Sequence, residues 1–194
     1  MLSNTSKMPC LSFNLPATEC KVGHVLQKVK GSTCNGCYAM KGFYRMPVVK
    51  KAMARRLSAI SSDNWVSTMI MLISDKEKSG YFRWHDSGDL QSVAHLQKII
   101  DVCKGTPHIQ HWLPTRERKI LNSYKGIIPD NLTIRLSSTM VDMLQPSKKW
   151  LTSTVHDDSA PFGVACNAPK TKNKCADCRM CWDKSIKNIS YGKH

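Results

Sequence analysis

Acidic residues are the scarce class in this 194-residue sequence, with 14 Asp and Glu against 29 Lys and Arg and a formal charge of +15. That imbalance makes nucleic acid or another polyanion the electrostatically favoured partner, through steering and counterion release. Long apolar runs are missing too. The longest, around Met69 to Ile73, falls far short of the roughly 20 residues a spanning helix needs, so no membrane partner is expected. The opening residues are polar from Met1 to Lys7, with Pro9 and Pro16 close behind, and lack the charged-then-apolar order of a secretory leader. Neither Gly (10) nor Pro (9) is in excess, and no low-complexity stretch occurs, which excludes collagen-like repeats and wholesale disorder. A chain of this length suits one domain that buries roughly two-thirds of its unfolded surface without covalent staples. A reducing, cytoplasmic location is expected.

Cysteine is what the sequence has in quantity. Nine occur, an odd number that argues against a complete disulfide framework and for metal ligation or redox chemistry. Cys103 stands alone in the middle, on the apolar side of a helical pattern, and reads as a buried free thiol. The C-terminal group runs Cys166, Cys175, Cys178, Cys181. Its Cys-x2-Cys-x2-Cys triplet suits a looping chain that wraps thiolates around one compact inorganic core, as in bacterial ferredoxins, with Cys166 as the fourth ligand. A [4Fe-4S] cluster is therefore expected there, with a four-thiolate zinc site as the competing reading. The N-terminal group is Cys20, Cys34 and Cys37. Asn35-Gly36 makes a tight turn that lets the Cys34 and Cys37 sulfurs share a site. Three thiolates on a cubane would leave one iron open to a ligand. Cys10 reads as an ordinary thiol.

Between the two groups the hydrophobic period alternates. Residues 1–33 read as irregular. A basic amphipathic helix is predicted over Val48 to Ile60, and a second follows a cap at Ser62 or Asp63. Strands are predicted at Gly80 to His85, His108 to Leu113, Leu132 to Leu136 and Thr152 to Val155. Helices are predicted at Val93 to Cys103, Glu117 to Tyr124 and, shorter, Asp142 to Leu144. This rhythm implies parallel β/α units. The expected fold is α/β, a small or partial (β/α) barrel with cysteine-rich irregular ends: residues 1–45 as an N-terminal cysteine segment, 46–160 as the β/α core and 161–194 as a cysteine motif with a basic tail. Each predicted strand ends in polar residues, where α/β folds gather their ligand pockets. His85, Asp86 and Arg116 are the candidate catalytic groups, Arg116 for its bidentate grip on anions. Ser87, Gly88, Thr115, Ser137 and His156 are the candidate cofactor-binding residues. Capping accounts for some strand-end residues, Asp89 and Ser138 first.

With Cys34-x2-Cys37-Tyr38-Ala39, Trp84-His-Asp-Ser-Gly-Asp89, Leu113-Pro-Thr-Arg-Glu117 and the closing Cys-x2-Cys-x2-Cys-Trp182 in view, the chain resembles the bacteriophage gene product 88 family over about Lys7 to Trp182. That resemblance implies the cytoplasm of an infected host cell. More distantly, the paired cysteines ahead of β/α units are similar to radical S-adenosylmethionine enzymes, which hold a cubane by Cys-x3-Cys-x2-Cys in a partial barrel. Here 13 residues separate Cys20 from Cys34, and His85-Asp86-Ser87-Gly88 stands where that family has Gly-Gly-Glu. The resemblance implies an electron donor or acceptor as partner and S-adenosylmethionine as a further cofactor. A basic nucleic-acid-binding protein stabilised by zinc, without catalysis, is the alternative.

Overall fold

The computed structural model describes residues 1–193, with His194 of the C-terminal segment outside the described residues. Eight strands form one sheet: β1 (Ser3–Asn4), β2 (Leu11–Phe13), β3 (Tyr81–Trp84), β4 (Gln110–Thr115), β5 (Leu132–Val141), β6 (Leu151–His156), β7 (Val164–Ala165) and β8 (Asn188–Gly192). Five α-helices accompany them: α1 (Lys21–Leu26), α2 (Pro47–Ala59), α3 (Trp65–Lys76), α4 (Val93–Gly105) and α5 (Arg118–Ser123). The sheet order is β1-β2-β3-β4-β5-β6-β8-β7, and only the β1–β2 pairing is antiparallel. The fold is therefore mixed α/β with a mostly parallel sheet. The expected barrel is corrected to an open sheet, because β1 and β7 are its edges and do not pair with each other.

Residue alternation along the strands makes two unlike faces. One face presents Phe13, Phe82, Trp84, Leu113, Leu132, Ile134 and Leu136 to the helices. Trp65, Met69 and Ile73 of α3 and Leu96, Ile99, Ile100 and Cys103 of α4 meet them at helical spacing. Each fully buried apolar side chain there contributes about 2 kcal/mol. Ser92 caps α4 by accepting from the His95 N–H at 3.0 Å. Capping thus falls to Ser92 and not to Asp89. The other face carries Tyr81, Arg83, Trp112, Thr133, Arg135, Ser137 and Tyr191. Among the described residues only the short α1 approaches it, so irregular chain from both ends of the sequence covers most of these polar groups.

Several elements differ from the sequence reading. Residues 1–33 hold β1, β2 and α1, which are too short for a period to show. Asp142 to Leu144 is a turn and not a helix. Asp142 (φ 54) accepts from the N–H groups of Asp157, Asp158 and Ser159 and so ties two loops together. Ser138 caps no helix, and its hydroxyl donates to the carbonyls of Met140 and Met143. The basic tail contains β8, which pairs with β6 over five residues.

Candidate cofactor site between two cysteine groups

The N-terminal thiols converge at the C-terminal ends of β3, β4 and β5. The chain is pinned there by backbone bonds from Thr33 N–H to Thr139 O (3.0 Å) and from Val141 N–H to Gly31 O (2.9 Å). Gly36, at φ 72, completes the expected turn, in which the Cys37 N–H donates to Cys34 O at 3.1 Å. Cys20 opens α1 and brings its sulfur beside that of Cys34. A Cβ placed at Gly23 would lie 3.6 Å from both sulfurs and 2.9 Å from Cys20 Cβ, so the absent side chain leaves a cradle for the pair. Arg116, which donates from Nε to Thr33 Oγ1 at 3.0 Å, is a cation close enough to act on this group. Burial pushes the Cys20 and Cys34 thiols up, and Arg116 opposes that rise.

The C-terminal thiols cover the opposite end of the same face. Cys166, Cys175, Cys178 and Cys181 enclose a small space of about 50 Å³ together with Ala168, Trp182 and Ile189. Lys172, Asn173 and Ala176 all have left-handed backbones (φ 54, 59 and 42) in the loop that presents these thiols. Such strain in non-glycine residues is held only where surrounding contacts over-determine it. Those contacts are visible. Arg135 is 0 % exposed and donates to the carbonyls of Met180, Cys181, Asp183 and Ile186 at 2.6 to 3.2 Å. Trp182 donates from Nε1 to Phe82 O at 3.0 Å, and Thr133 donates to Trp182 O at 2.7 Å. Cys181 meets the Tyr191 hydroxyl at 3.3 Å, and burial pushes its thiol up to about 12.

One cavity of about 560 Å³ joins the two groups. Cys20, Cys34 and Cys37 line one side and Cys166, Cys175 and Cys181 the other, with Arg83, Trp112 and Tyr191 between them. Arg83 lies over the Trp112 ring at 4.7 Å and pairs with Asp86 at 2.8 Å. All nine cysteines are free thiols.

The model of the gene product 88 proteins ("Gene product 88") matches residues 2–184. The chain belongs to the Gene product 88 family. Comparison with curated proteins and comparison with solved structures gave no match. Similarity to radical S-adenosylmethionine enzymes does not emerge from any of them.

In this Gene product 88 protein the strand-end residues divide. Arg116, Asp86, Ser87, Gly88, His85 and Ser137 line the cavity, whereas Thr115 and His156 are not part of its lining. Thr115 donates to Asp89 at 2.5 Å, and His156 Nδ1 bonds the Ser190 hydroxyl at 2.9 Å. Asp86 has both carboxylate oxygens engaged, one by Arg83 and the other by the Tyr44 hydroxyl at 2.6 Å, while the Tyr38 hydroxyl donates to its carbonyl. It latches the N-terminal cysteine segment to β3. Ser87 donates to Leu15 O, and a Cβ on Gly88 would strike Leu15 Cβ at 2.5 Å, so both serve the close approach of two chain segments. His85 has a left-handed backbone (φ 57), and its ring packs 5.5 Å from that of His95. Burial holds it well below the usual histidine value, which makes it a neutral imidazole.

The sequence reading did not single out Arg83, Arg135 or Tyr191, and it took Asp89 for a helix cap. Asp89 is buried and raised to about 6 by that burial, held in check by Thr115 and the Arg116 and Leu90 N–H groups. Thiolates are the donors that a polynuclear cluster would take. Among the described residues no three Cys, His, Asp or Glu side chains are set to hold a single metal ion. A cubane is ligated through different irons, so its thiolates stand wider apart than those around one ion. Buried thiols of raised pKa lose their protons outright when a metal coordinates them. The fully buried Arg135, bonded to carbonyls only, and Arg116 at the other group are the cations that anionic thiolates would need.

Proposed function

We propose that this protein binds iron–sulfur clusters through its two cysteine groups and carries out a redox or radical-type reaction in the cavity between them. The observation that carries the reading is that six of the seven candidate ligands line one cavity, with the buried Arg135 beside one group and the half-buried Arg116 beside the other. Cys166, Cys175, Cys178 and Cys181 would hold one [4Fe-4S] cluster with every iron liganded. Cys20, Cys34 and Cys37 would hold a second with one iron free, a group whose chemistry when bound would be one-electron reduction of a molecule in the cavity. S-adenosylmethionine is the cofactor to test at that position, and an electron-donor protein is the implied partner.

The chain's own residues have definable tasks. Arg116 reaches the N-terminal thiols and offers its remaining N–H groups to a carboxylate or phosphate in the cavity. Arg83, fixed by Asp86 and Trp112, supplies a positive floor between the two groups. Trp112, Trp182 and Tyr81 pack together as an apolar wall against Cys175 and Cys181.

Metal analysis with a visible spectrum after anaerobic purification tests the reading. Brown protein with roughly four iron and four sulfide per cluster is expected. Colourless protein that carries stoichiometric zinc even after iron and sulfide are supplied would overturn it. Failure of S-adenosylmethionine to bind or to be reductively cleaved would remove the radical branch and leave the clusters in place.

A further inference from the structure

The charge of the molecule is not spread evenly along the chain. Between Glu19 and Asp63 there is not one acidic residue, although this stretch holds nine of the 29 Lys and Arg. It is the same stretch that carries Cys20, Cys34 and Cys37. Lys41, Arg45, Lys50, Lys51 and Arg55 are all exposed, on the loop after Cys37 and on α2. Set among these cations, Phe43 is 82 % exposed and Tyr38 51 %, with the Tyr38 hydroxyl tucked under Asp86. Val48 and Met46 are exposed as well. An exposed aromatic flanked along the chain by exposed cations, none of which pairs with a carboxylate among the described residues, is the composition of a surface for single strands. Phosphates pair with the cations, and bases stack on rings regardless of sequence. The patch also has a direction. The Asp86 latch holds Tyr38 at the cavity that Cys34 and Cys37 line, with the Tyr44 ring 5.8 Å from that of Tyr38. At about 560 Å³ the cavity falls within the range of pockets that take a small organic group.

We infer that the acid-free segment from Cys20 to Ser62 is a binding surface for single-stranded nucleic acid, which runs along Lys41 to Arg55 and presents a nucleotide to the cavity. The inference goes beyond the cluster reading and does not rest on it, because binding is carried by side chains outside the thiol groups. Charge alone would favour any polyanion. The exposed Phe43 and Tyr38 rings select one with flat, unpaired bases.

Fluorescence anisotropy of a labelled single-stranded oligonucleotide, as DNA and as RNA, on the full-length protein tests this. K50E/K51E and K148E/K149E change the net charge by the same amount at exposed positions, the second pair outside the patch. The expected result is that K50E/K51E weakens binding tenfold or more and reduces the salt slope by about 1.4, while K148E/K149E stays close to the parent. Phe43→Ala should weaken binding about tenfold with the slope unchanged, as loss of one stacked base does. Equal losses from the two charge pairs, no loss from Phe43→Ala, or competition by polyglutamate as effective as that by unlabelled oligonucleotide would each overturn the inference. Iron content measured on the same samples keeps the outcomes apart. Oligonucleotide binding by protein without iron defeats the cluster reading alone, and a brown protein that ignores the oligonucleotide defeats this one alone.

Discussion

The two cysteine groups share a cavity but are built in opposite ways. The C-terminal group is lashed down: Arg135 alone engages four carbonyls of its loop, Trp182 is buried under β3, and three left-handed non-glycine residues shape the turn. The N-terminal group is held more lightly. Its three thiols lie on a short helix and a turn fastened to strand ends by a few backbone bonds and by the Asp86 latch. A site with every ligand supplied by protein needs only to be rigid. A site meant to accept an outside ligand must leave one position open and its surroundings passable. The contrast matches the division of labour proposed here, a closed centre beside an open one.

Breaking the lashing should have the largest effect. Arg135→Met strands four carbonyls in a dry interior, and at about 1 to 3 kcal/mol for each orphaned group the C-terminal loop should come away with a loss of at least about 4 kcal/mol, read in urea melts. On the cluster proposal, the iron assigned to Cys166, Cys175, Cys178 and Cys181 should go with it, while Arg135→Lys keeps the charge and only part of the bonding.

Acid comes next and should not distinguish the two groups, because both rest on the same helix-covered core. His85, His95 and His111 are buried there and held below the usual histidine value, His95 at about 4 and His111 at about 3. As pH falls below about 6.5, the unfolded chain takes up protons that the folded chain refuses, so stability present at neutral pH is lost on acidification. Between pH 7.5 and 5.5 the three together should cost about 4 kcal/mol, and flat urea midpoints over that window would contradict the assignment.

Gly23→Val sharpens the comparison from the other side. Filling the cradle between Cys20 and Cys34 should cost about 2 kcal/mol by overpacking and abolish iron at the N-terminal group, with the C-terminal iron unchanged. Tyr44→Phe is the mildest variant. It frees one oxygen of Asp86 and should lower the melting free energy by about 1 kcal/mol, with both metal contents retained.

Much of this was legible in the sequence because its signals are local. Period-2 and period-3.6 patterns from Val48 to His156 place α2 through α5 and β3 through β6, with β4 and β5 running on beyond their predicted ends. The spacing of Cys34, Cys37, Cys175, Cys178 and Cys181 marks the two groups before any fold is known. What escaped depends on contacts across the chain. β2 is three residues long and owes its existence to β3. β8 lies in a basic tail and is made a strand by β6. Arg135 finds its carbonyls 45 or more residues away, and Asp86 finds Tyr44 and Tyr38 at 42 and 48 residues with only Arg83 near in sequence, which no spacing rule records. Barrel closure failed for a related reason: β/α rhythm fixes the parallel neighbours but not whether the outer strands meet. His156 sits at a strand end, as pocket residues do, but faces Ser190 because strand alternation turns it from the cavity.

Iron and acid-labile sulfide counted together on the anaerobically purified protein and on Cys34→Ser test the two-centre account most directly. About eight iron and eight sulfide per chain in the parent, falling to about four of each in the variant with little change in melting temperature, is the predicted result. An iron content that is near zero in the parent, or that Cys34→Ser leaves unchanged, would contradict it.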